Sequence, residues 1–502
     1  MIQALARRQD TVAARPLVEP LEAKRMLDAS SLDPTPLDPG ELQAEHQLVH
    51  NQTLQLTDPV DGDIVTIKAT FRDPNGTGMV GIGLGGEIEY IGLQNEVSKL
   101  TIKVKKVSGG DGVVNIGQLT GQGFGVDKVT AKNVRWVGGQ SVMFEGGIDI
   151  GESSNLNLYE LGQAAKFLVS KDATGDKPLK VKLNNVDTTN SFVVGQPIKQ
   201  LKVNENLQAG DVELRQGGKN VKITGNLVGT NVEVQPNTGN PDEQMKIKVG
   251  GDVEVTNMTI DAPVNSFITG GVIGFATTII FAEAMRKMVI GSVILGSLSV
   301  LGVLGTGKVG GDIEGSVQLY QATKFTLVGA LFGSLLATYE SSSASDLAIK
   351  TLVLGAMLSG SIFNTAGSVG KMTVIGAFVE AQILFGVLGS WTLLGNGFPC
   401  CGQTGVLNPV TAAVLGALIF KGKGVDYAFL GGFIIGYALT KLQMGRLGAN
   451  MGGGIALASH HADDTNINVK EIGYQGPRLK GKGIAALDEL SNQGGLQLAY
   501  LS

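Results

Sequence analysis

Three aspartates near the start of the chain have the type and spacing that can bind a metal ion. Asp58, Asp61 and Asp63 stand in the segment DPVDGD. Calcium prefers carboxylate oxygens, but an EF-hand loop also needs a glutamate at its twelfth position. Counting from Asp58, that position is Ala69. Because proline, glycine and aspartate also favour turns, the segment predicts a plain turn, with calcium as its candidate ligand.

The two cysteines of the chain, Cys400 and Cys401, are adjacent in the segment FPCCG. One pair does not make a disulfide framework. No third cysteine exists to help the pair hold a metal ion. Two packed thiols, a strained disulfide between Cys400 and Cys401, and a bridge to another chain remain open.

Glycine dominates the composition. It supplies 73 of the 502 residues, about twice its usual share. No Gly-X-Y period is present, which excludes collagen, and a hydrophobic content of 43% argues against disorder. Since glycine adopts positive φ at little cost, we expect glycines to mark chain reversals. The formal net charge of −5 gives no electrostatic case for a nucleic-acid partner.

A short unit recurs from about residue 199 onward. It has two apolar residues separated by one, usually followed by glycine and further apolar residues. A polar or basic residue precedes each unit, as Gln200, Lys287 and Lys371 do. The nine units begin at Leu201, Val221, Met245, Phe267, Met288, Val309, Phe325, Leu352 and Met372, on average about 21 residues apart.

This unit has the properties of one coil of a β-solenoid. The first and third side chains of a strand point to the same face. About 21 residues suffice for three short strands and three corners. Since one coil cannot bury its own apolar face, several coils must stack. The sequence therefore predicts an all-β fold, a β-helix or solenoid.

Four segments differ in character. Residues 1–50 have no sustained period and predict an irregular, flexible leader with a sorting-like motif, although no apolar secretory segment is present. Residues 51–195 predict a β-rich entry region with a hairpin of residues 53–57 and 64–70. Further strands are expected at residues 88–90, 100–104 and 142–144. Residues 196–460 predict the solenoid repeats, and residues 461–502 predict a C-terminal cap or tail.

Residues 18–30, VEPLEAKRMLDAS, resemble the LEPR-XLL motif near the N-termini of many large planctomycete proteins. The matching residues are Leu21, Glu22 and Leu27, while Ala23, Lys24 and Met26 stand where proline, arginine and leucine are usual. The DGD step, the β-rich run and the later GTG of residues 76–78 are similar to the entry region of planctomycete solenoid proteins. The resemblance implies an exported protein with irregular β-solenoid repeats, located in the cell envelope or outside the cell.

Residues 264–440 are unusually apolar. Residues 289–440 contain 12 charged side chains, and residues 381–420 contain none. Length and composition alone would allow transmembrane helices. Frequent glycine, valine, isoleucine and threonine favour strands instead. In a solenoid, so few charges leave apolar surface outside, which usually marks an interface. We therefore expect a homo-oligomer or filament formed through the apolar face of residues 264–440.

Three functions follow from these expectations. The favoured one is a non-enzymatic structural or surface-assembly protein, a self-associating extracellular β-solenoid. The second is a β-helix that binds or cleaves polysaccharide, which would need carboxylates and basic residues on one exposed face. The third is an integral membrane protein. No catalytic residue is predicted, and calcium is the candidate cofactor.

Overall fold

The computed structural model describes residues 42–121, 123–137, 146–169, 177–340, 346–385, 413–448, 453–458, 462–472, 478–494 and 497–501. In these residues, thirty-eight strands belong to one continuous sheet. The prediction of an all-β solenoid is confirmed.

The strands that precede the parallel coils are β1 (Leu42–Val49), β2 (Thr53–Thr57), β3 (Ile64–Phe71) and β4 (Thr77–Gly83). The strands that build the coils up to the middle of the chain are β5 (Ile88–Leu93), β6 (Val97–Lys105), β7 (Val114–Thr120), β8 (Val126–Trp136), β9 (Gly147–Ile150), β10 (Ser153–Leu161), β11 (Lys166–Val169), β12 (Leu179–Leu183), β13 (Asn185–Asp187), β14 (Phe192–Val194), β15 (Ile198–Val203), β16 (Leu207–Leu214), β17 (Asn220–Ile223), β18 (Leu227–Val234), β19 (Met245–Val249) and β20 (Val253–Ile260).

The remaining coil strands are β21 (Val264–Thr269), β22 (Thr278–Phe281), β23 (Met285–Ile290), β24 (Ser297–Val309), β25 (Ser316–Leu331), β26 (Ser334–Ala337), β27 (Leu347–Met357), β28 (Ile362–Thr365), β29 (Ser368–Val374), β30 (Phe378–Phe385), β31 (Val414–Phe420), β32 (Phe429–Gly436), β33 (Ala438–Leu439), β34 (Lys441–Leu447), β35 (Gly454–Ala458) and β36 (Asn466–Ile472). The last described elements are β37 (Leu479–Lys482), helix α1 (Gly483–Gly494) and β38 (Gln497–Leu501).

Each coil contributes one segment to each of three parallel ladders. In one coil, β15 lies in ladder 1, the first half of β16 in ladder 2 and its second half in ladder 3, and β17 returns to ladder 1. Ladder 1 runs unbroken through sixteen strand segments from β6 to β36. At about 4.8 Å per strand, the stack is about 70 Å long.

The core is a set of apolar columns in which each coil covers the side chains of the coil before it. The clearest column follows ladder 2, and all its members are buried. Its members are Ile116, Trp136, Leu161, Val186, Leu207, Leu227, Val253, Ile273, Ile294, Ile313, Leu331, Met357, Phe378, Phe429, Leu447 and Ile472. No single coil could bury such a row, so burial depends on stacking.

The predicted repeat units lie in ladder 1, but two of them are out of register. Leu201 and Val221 are stacked as expected, whereas the next residue in the column is Ile247 and not Met245. Similarly, Met288 is followed by Gly307 and not by Val309. A shift of two residues keeps the same face of a strand inside, so the apolar pattern alone could not distinguish the two registers.

The glycines that follow the units serve close packing and not unusual backbone angles, which corrects the sequence expectation. Gly250, Gly270, Gly291 and Gly310 all lack positive φ. A Cβ on Gly270 would lie 2.1 Å from the carbonyl oxygen of Gly250, and one on Gly291 would lie 2.4 Å from that of Gly270. Glycine is needed here because the corners of successive coils touch backbone to backbone. Positive φ does occur at Gly62, in the DPVDGD turn (φ 82°).

A ladder of side-chain amides and one carboxylate, which the sequence analysis missed, connects the corners between ladders 1 and 2. Asn206 Oδ1 accepts a hydrogen bond from the backbone N–H of Asn226 at 2.9 Å. Asn226 Oδ1 accepts one from Asp252 at 2.9 Å, and Asp252 Oδ1 accepts one from Val272 at 2.7 Å. Each of these polar residues precedes a buried ladder-2 residue. They satisfy corner N–H groups that no strand would otherwise bind.

Antiparallel strands cover the N-terminal end of the coil stack and, at the C-terminal end, ladder 1, whereas ladder 3 ends in the parallel strand β38. At the N-terminal end, β3 pairs with β6 and β4 pairs with β5. On the side away from the coils, β2 pairs with β3 and β1 pairs with β4. The predicted hairpin is therefore confirmed as β2 and β3. At the other end, β37 pairs with β36, and α1 packs beside both. Such covers reduce edge pairing with other chains.

The coils extend beyond the predicted repeat range on both sides. Parallel pairing begins with β5–β7 and β6–β8, inside the predicted entry region, and continues to β38, which pairs with β35. The end of the predicted leader is not irregular, because Leu42–Val49 form strand β1. The strands expected at residues 88–90 and 100–104 lie in β5 and β6, whereas residues 142–144 lie outside the described residues.

The apolar stretch of residues 264–440 consists of strands β21 to β33 where it is described. Within the described part of the chain, no helix combines the length and apolar composition needed to cross a membrane.

Candidate functional site

The predicted acid cluster is present, but with one member exchanged. Carboxylate oxygens of Asp61, Asp63 and Asp111 lie within 4.8 Å of one another. Asp58 stays in the same loop, where burial raises its pKa despite a hydrogen bond from the N–H of Val60. The N–H of Asp111 donates to Asp61 and lowers the pKa of that carboxyl group. Asp111, 48 residues after Asp63, could not be found from local spacing.

The carboxylates of this cluster bind backbone N–H groups and so hold two loops together. Asp63 is fully buried, and its two oxygens accept hydrogen bonds from Val107 at 2.8 Å and Gly112 at 2.6 Å. Asp61 accepts one from Asp111 at 2.8 Å. These hydrogen bonds are sufficient to explain why the three carboxylates lie together, because they stabilise the turn. Calcium binding by the cluster stays a prediction. Cys400, Cys401 and the LEPR-like segment lie outside the described residues.

A row of lysines lies on the outward side of ladder 1, from β8 to β19, and is here called the lysine face. Its members are Lys128, Lys132, Lys180, Lys182, Lys202, Lys222, Lys246 and Lys248. In β12 (LKVKL) and β19 (MKIKV), apolar residues point inward and lysines point outward. Strands β12, β15, β17 and β19 contain no aspartate or glutamate.

Four lysines of this face stack directly on one another. Lys182, Lys202, Lys222 and Lys248 are register partners in four consecutive coils. Neighbouring strands lie about 4.8 Å apart, and like charges placed opposite each other are destabilising. Among the described residues, none of these lysines forms an ion pair. The chain thus carries uncompensated positive charge here despite its negative net charge.

A trough crosses the first part of the lysine face. Asn155 lies in register between Lys128 and Lys180, and Asn157 lies between Thr130 and Lys182. The two amides and the neighbouring lysines line a cavity of about 360 Å³. Cationic ammonium groups and neutral amides therefore line the same concave surface.

The aspartate nearest the trough does not neutralise it. Asp127, at the start of β8, is bound by Arg72 at 2.9 Å and by Lys177. Burial acts to raise the pKa of Asp127, but hydrogen bonds from Lys177 and Arg72 outweigh burial and lower this pKa. Its negative charge is thus compensated by cations outside the lysine face.

Lys248 is followed by Ile268, so the lysine stack ends at β19. The neighbouring outward column, which contains Lys246, alternates between lysine and neutral residues beyond β19. In register, its members are Lys246, Ser266, Lys287, Thr306, Lys324, Thr351 and Lys371. A lysine therefore recurs every second coil, roughly 10 Å apart. Five of these seven residues, all except Lys246 and Thr306, are the polar and basic residues that precede the repeat units in the sequence. The sequence pattern alone does not indicate that they share one face.

A second surface feature is an apolar strip of four residues at the corner between ladders 3 and 1. Leu301 and Val303 lie in one coil, Tyr320 in the next and Tyr339 in the third. The backbone N–H of Tyr339 donates to Tyr320, and the two rings form an edge-to-face pair with centroids 5.2 Å apart. Leu301, Val303 and Tyr320 are 47%, 43% and 39% exposed, respectively.

Comparison of the chain with protein-family models, with curated proteins and with solved structures gives no match.

Proposed function

We propose that this chain is a non-enzymatic structural or surface-assembly protein, an extracellular β-solenoid that associates with further copies of itself. One observation carries the proposal: exposed apolar side chains are concentrated in residues 264–440. Of the ten large apolar side chains that are exposed in the described residues, seven lie in this range: Phe275, Leu301, Val303, Tyr320, Val328, Phe332 and Val425.

The apolar strip is the best candidate for the contact. Its residues lie at one corner in three consecutive coils, Val303 pairs with Gln321 beside Tyr320, and the rings of Tyr320 and Tyr339 are in contact. Contiguous apolar surface on a protein usually marks an interface. Two copies could bury the strip against each other about a two-fold axis, because a two-fold contact uses the same surface twice.

The covered ends favour lateral contact over end-to-end contact. The β3 and β4 strands occupy the edges that an added coil would need at the N-terminal end, and β37 occupies the edge of ladder 1 at the other end. Assembly in our proposal therefore proceeds through the sides of the solenoid. The extracellular or cell-envelope location is supported by the resemblance of residues 18–30 to the LEPR-XLL motif.

Sedimentation velocity in detergent-free buffer tests this proposal. We expect the full chain to associate with increasing concentration, and the L301T/V303T variant to sediment as a monomer. Threonine keeps the branched shape and high strand propensity of valine while removing apolar surface. L84T is the matched control, because Leu84 is 74% exposed but lies outside residues 264–440.

Two results would contradict the proposal. One is a wild-type chain that stays monomeric at all concentrations. The other is an L301T/V303T variant that associates as strongly as the wild-type chain and the L84T control.

A further inference from the structure

We propose that the lysine face binds a linear acidic polysaccharide, which lies along the solenoid axis across successive coils. This surface occupies residues 128–248, whereas the apolar strip occupies residues 301–339. Binding is therefore independent of the self-association proposed above.

The first argument is the unbalanced charge. Lys182, Lys202 and Lys222 stack in consecutive coils, and the strands that carry them contain no acidic residue. A row of anionic groups placed over these lysines would replace repulsion with attraction. A local cationic surface of this kind attracts anions even on a chain of negative net charge.

The second argument is geometric. The lysines follow a straight path set by the register of a parallel ladder, so a matching ligand must be extended and must repeat its charge along its length. An extended polysaccharide advances by a distance per sugar that is close to one strand spacing, about 4.8 Å. Acidic sugars would therefore place a carboxylate or sulfate near each coil along Lys182, Lys202 and Lys222. In the neighbouring column of Lys128, Asn155, Lys180 and Gln200, the acidic group would lie near every second coil.

The neutral residues between the lysines fit the rest of a sugar. Asn155, Asn157 and Gln200 line the trough together with its lysines. An amide side chain both donates and accepts hydrogen bonds, as a sugar hydroxyl group does. The trough thus offers ammonium groups for the acidic group and amides for the hydroxyl groups of one ligand.

Nucleic acid fits this surface less well. Single strands are usually held by aromatic side chains on which bases stack. Strands β12, β15, β17 and β19 contain no aromatic residue. They also contain no arginine, the residue most suited to bidentate contacts with phosphate.

Isothermal titration calorimetry of the full chain tests the proposal with alginate, dextran sulfate, uncharged dextran and the oligonucleotide dT20. We expect the wild-type chain to bind alginate or dextran sulfate, and not to bind dextran. Tighter binding of alginate identifies carboxylate as the preferred anion, and tighter binding of dextran sulfate identifies sulfate. Affinity should fall as salt is added, because the contacts are between charges.

The K180Q/K182Q variant should weaken binding of the preferred polysaccharide by about tenfold. K421Q/K423Q is the matched control, since it removes the same charge from exposed lysines outside the lysine face. The L301T/V303T variant should bind like wild type, which separates this result from any failure of self-association. Circular dichroism of each variant checks that the strands remain folded.

Three outcomes would overturn the proposal. They are no binding of either acidic polysaccharide, an equal loss in K180Q/K182Q and K421Q/K423Q, and tighter binding of dT20 than of both polysaccharides. The last outcome would assign the face to nucleic acid.

Discussion

At the scale of single residues, the same side-chain type has different consequences depending on what lies one coil away. Lys202 has Lys182 and Lys222 as its register partners, so three positive charges meet. Lys324 has Thr306 and Thr351 as partners and meets no charge. The energetic effect of a lysine on this fold is therefore set by residues about twenty positions away in the sequence.

The contrast between Lys202 and Lys324 can be tested with one variant at each position. Without ligand, K202Q should raise the free energy of unfolding by about 0.2–1 kcal/mol, because it removes like-charge repulsion between adjacent strands. K324Q should change it little. Thermal melting at low and high salt measures both, and the K202Q gain should shrink with salt. A K202Q variant that melts at or below the wild-type temperature at low salt would refute the interpretation.

In the acid cluster, the sequence predicts the local turn but not the partners of its carboxylates. The segment DPVDGD predicts the turn correctly, because its composition is local. The partners of Asp63 are the N–H groups of Val107 and Gly112, which the fold brings from more than forty residues away. Nothing in the local sequence indicates these partners, and the same holds for Asp111.

At the scale of elements, the coil corners impose the strictest local requirement. Gly270 lies between the corners of the coils before and after it, with Gly250 below and Gly291 above. Any side chain here would push two backbones apart. The requirement comes from stacking and not from the conformation of the glycine itself.

We therefore expect G270A to destabilise the chain by about 1–3 kcal/mol, the usual range for a group forced into a packed interior. Chemical denaturation followed by circular dichroism measures the change. G92A is the control, because a Cβ at Gly92 would approach only the ring of Tyr90, at 3.3 Å. Equal effects of G270A and G92A would contradict the close-approach argument.

Element type could be predicted from the sequence, while element register could not. Alternation of apolar and polar residues identifies strands such as LKVKL because one face must be buried. The same alternation is satisfied by either Met245 or Ile247 in the column, since both point inward. Only the pairing with the neighbouring coil decides between them, and that pairing is not local.

At the scale of the whole molecule, stability is distributed over contacts between neighbouring coils. Each coil touches the one before and the one after it, so the stack needs covers at both ends. The structure supplies them with β3 and β4 at one end and with β37 and α1 at the other. A more polar C-terminal cap or tail was expected from composition, but its antiparallel strand was not.

The C-terminal cover can be tested by removing it. In the L301T/V303T background, a chain ending at residue 478 should form larger species, because β35 and β36 then expose unpaired edges. Sedimentation velocity compares it with the uncut L301T/V303T variant, which should be a monomer. A shortened chain that also remains monomeric would show that the cover is not needed to prevent end-to-end pairing.

The direction of the ladders has a mechanical consequence. In all three ladders, the hydrogen bonds that join one coil to the next run along the axis of the stack. A pull applied to the two ends would place the same force on every coil interface, because the interfaces lie in series along this axis. The weakest single interface would then set the force at which the protein yields, however many coils it contains.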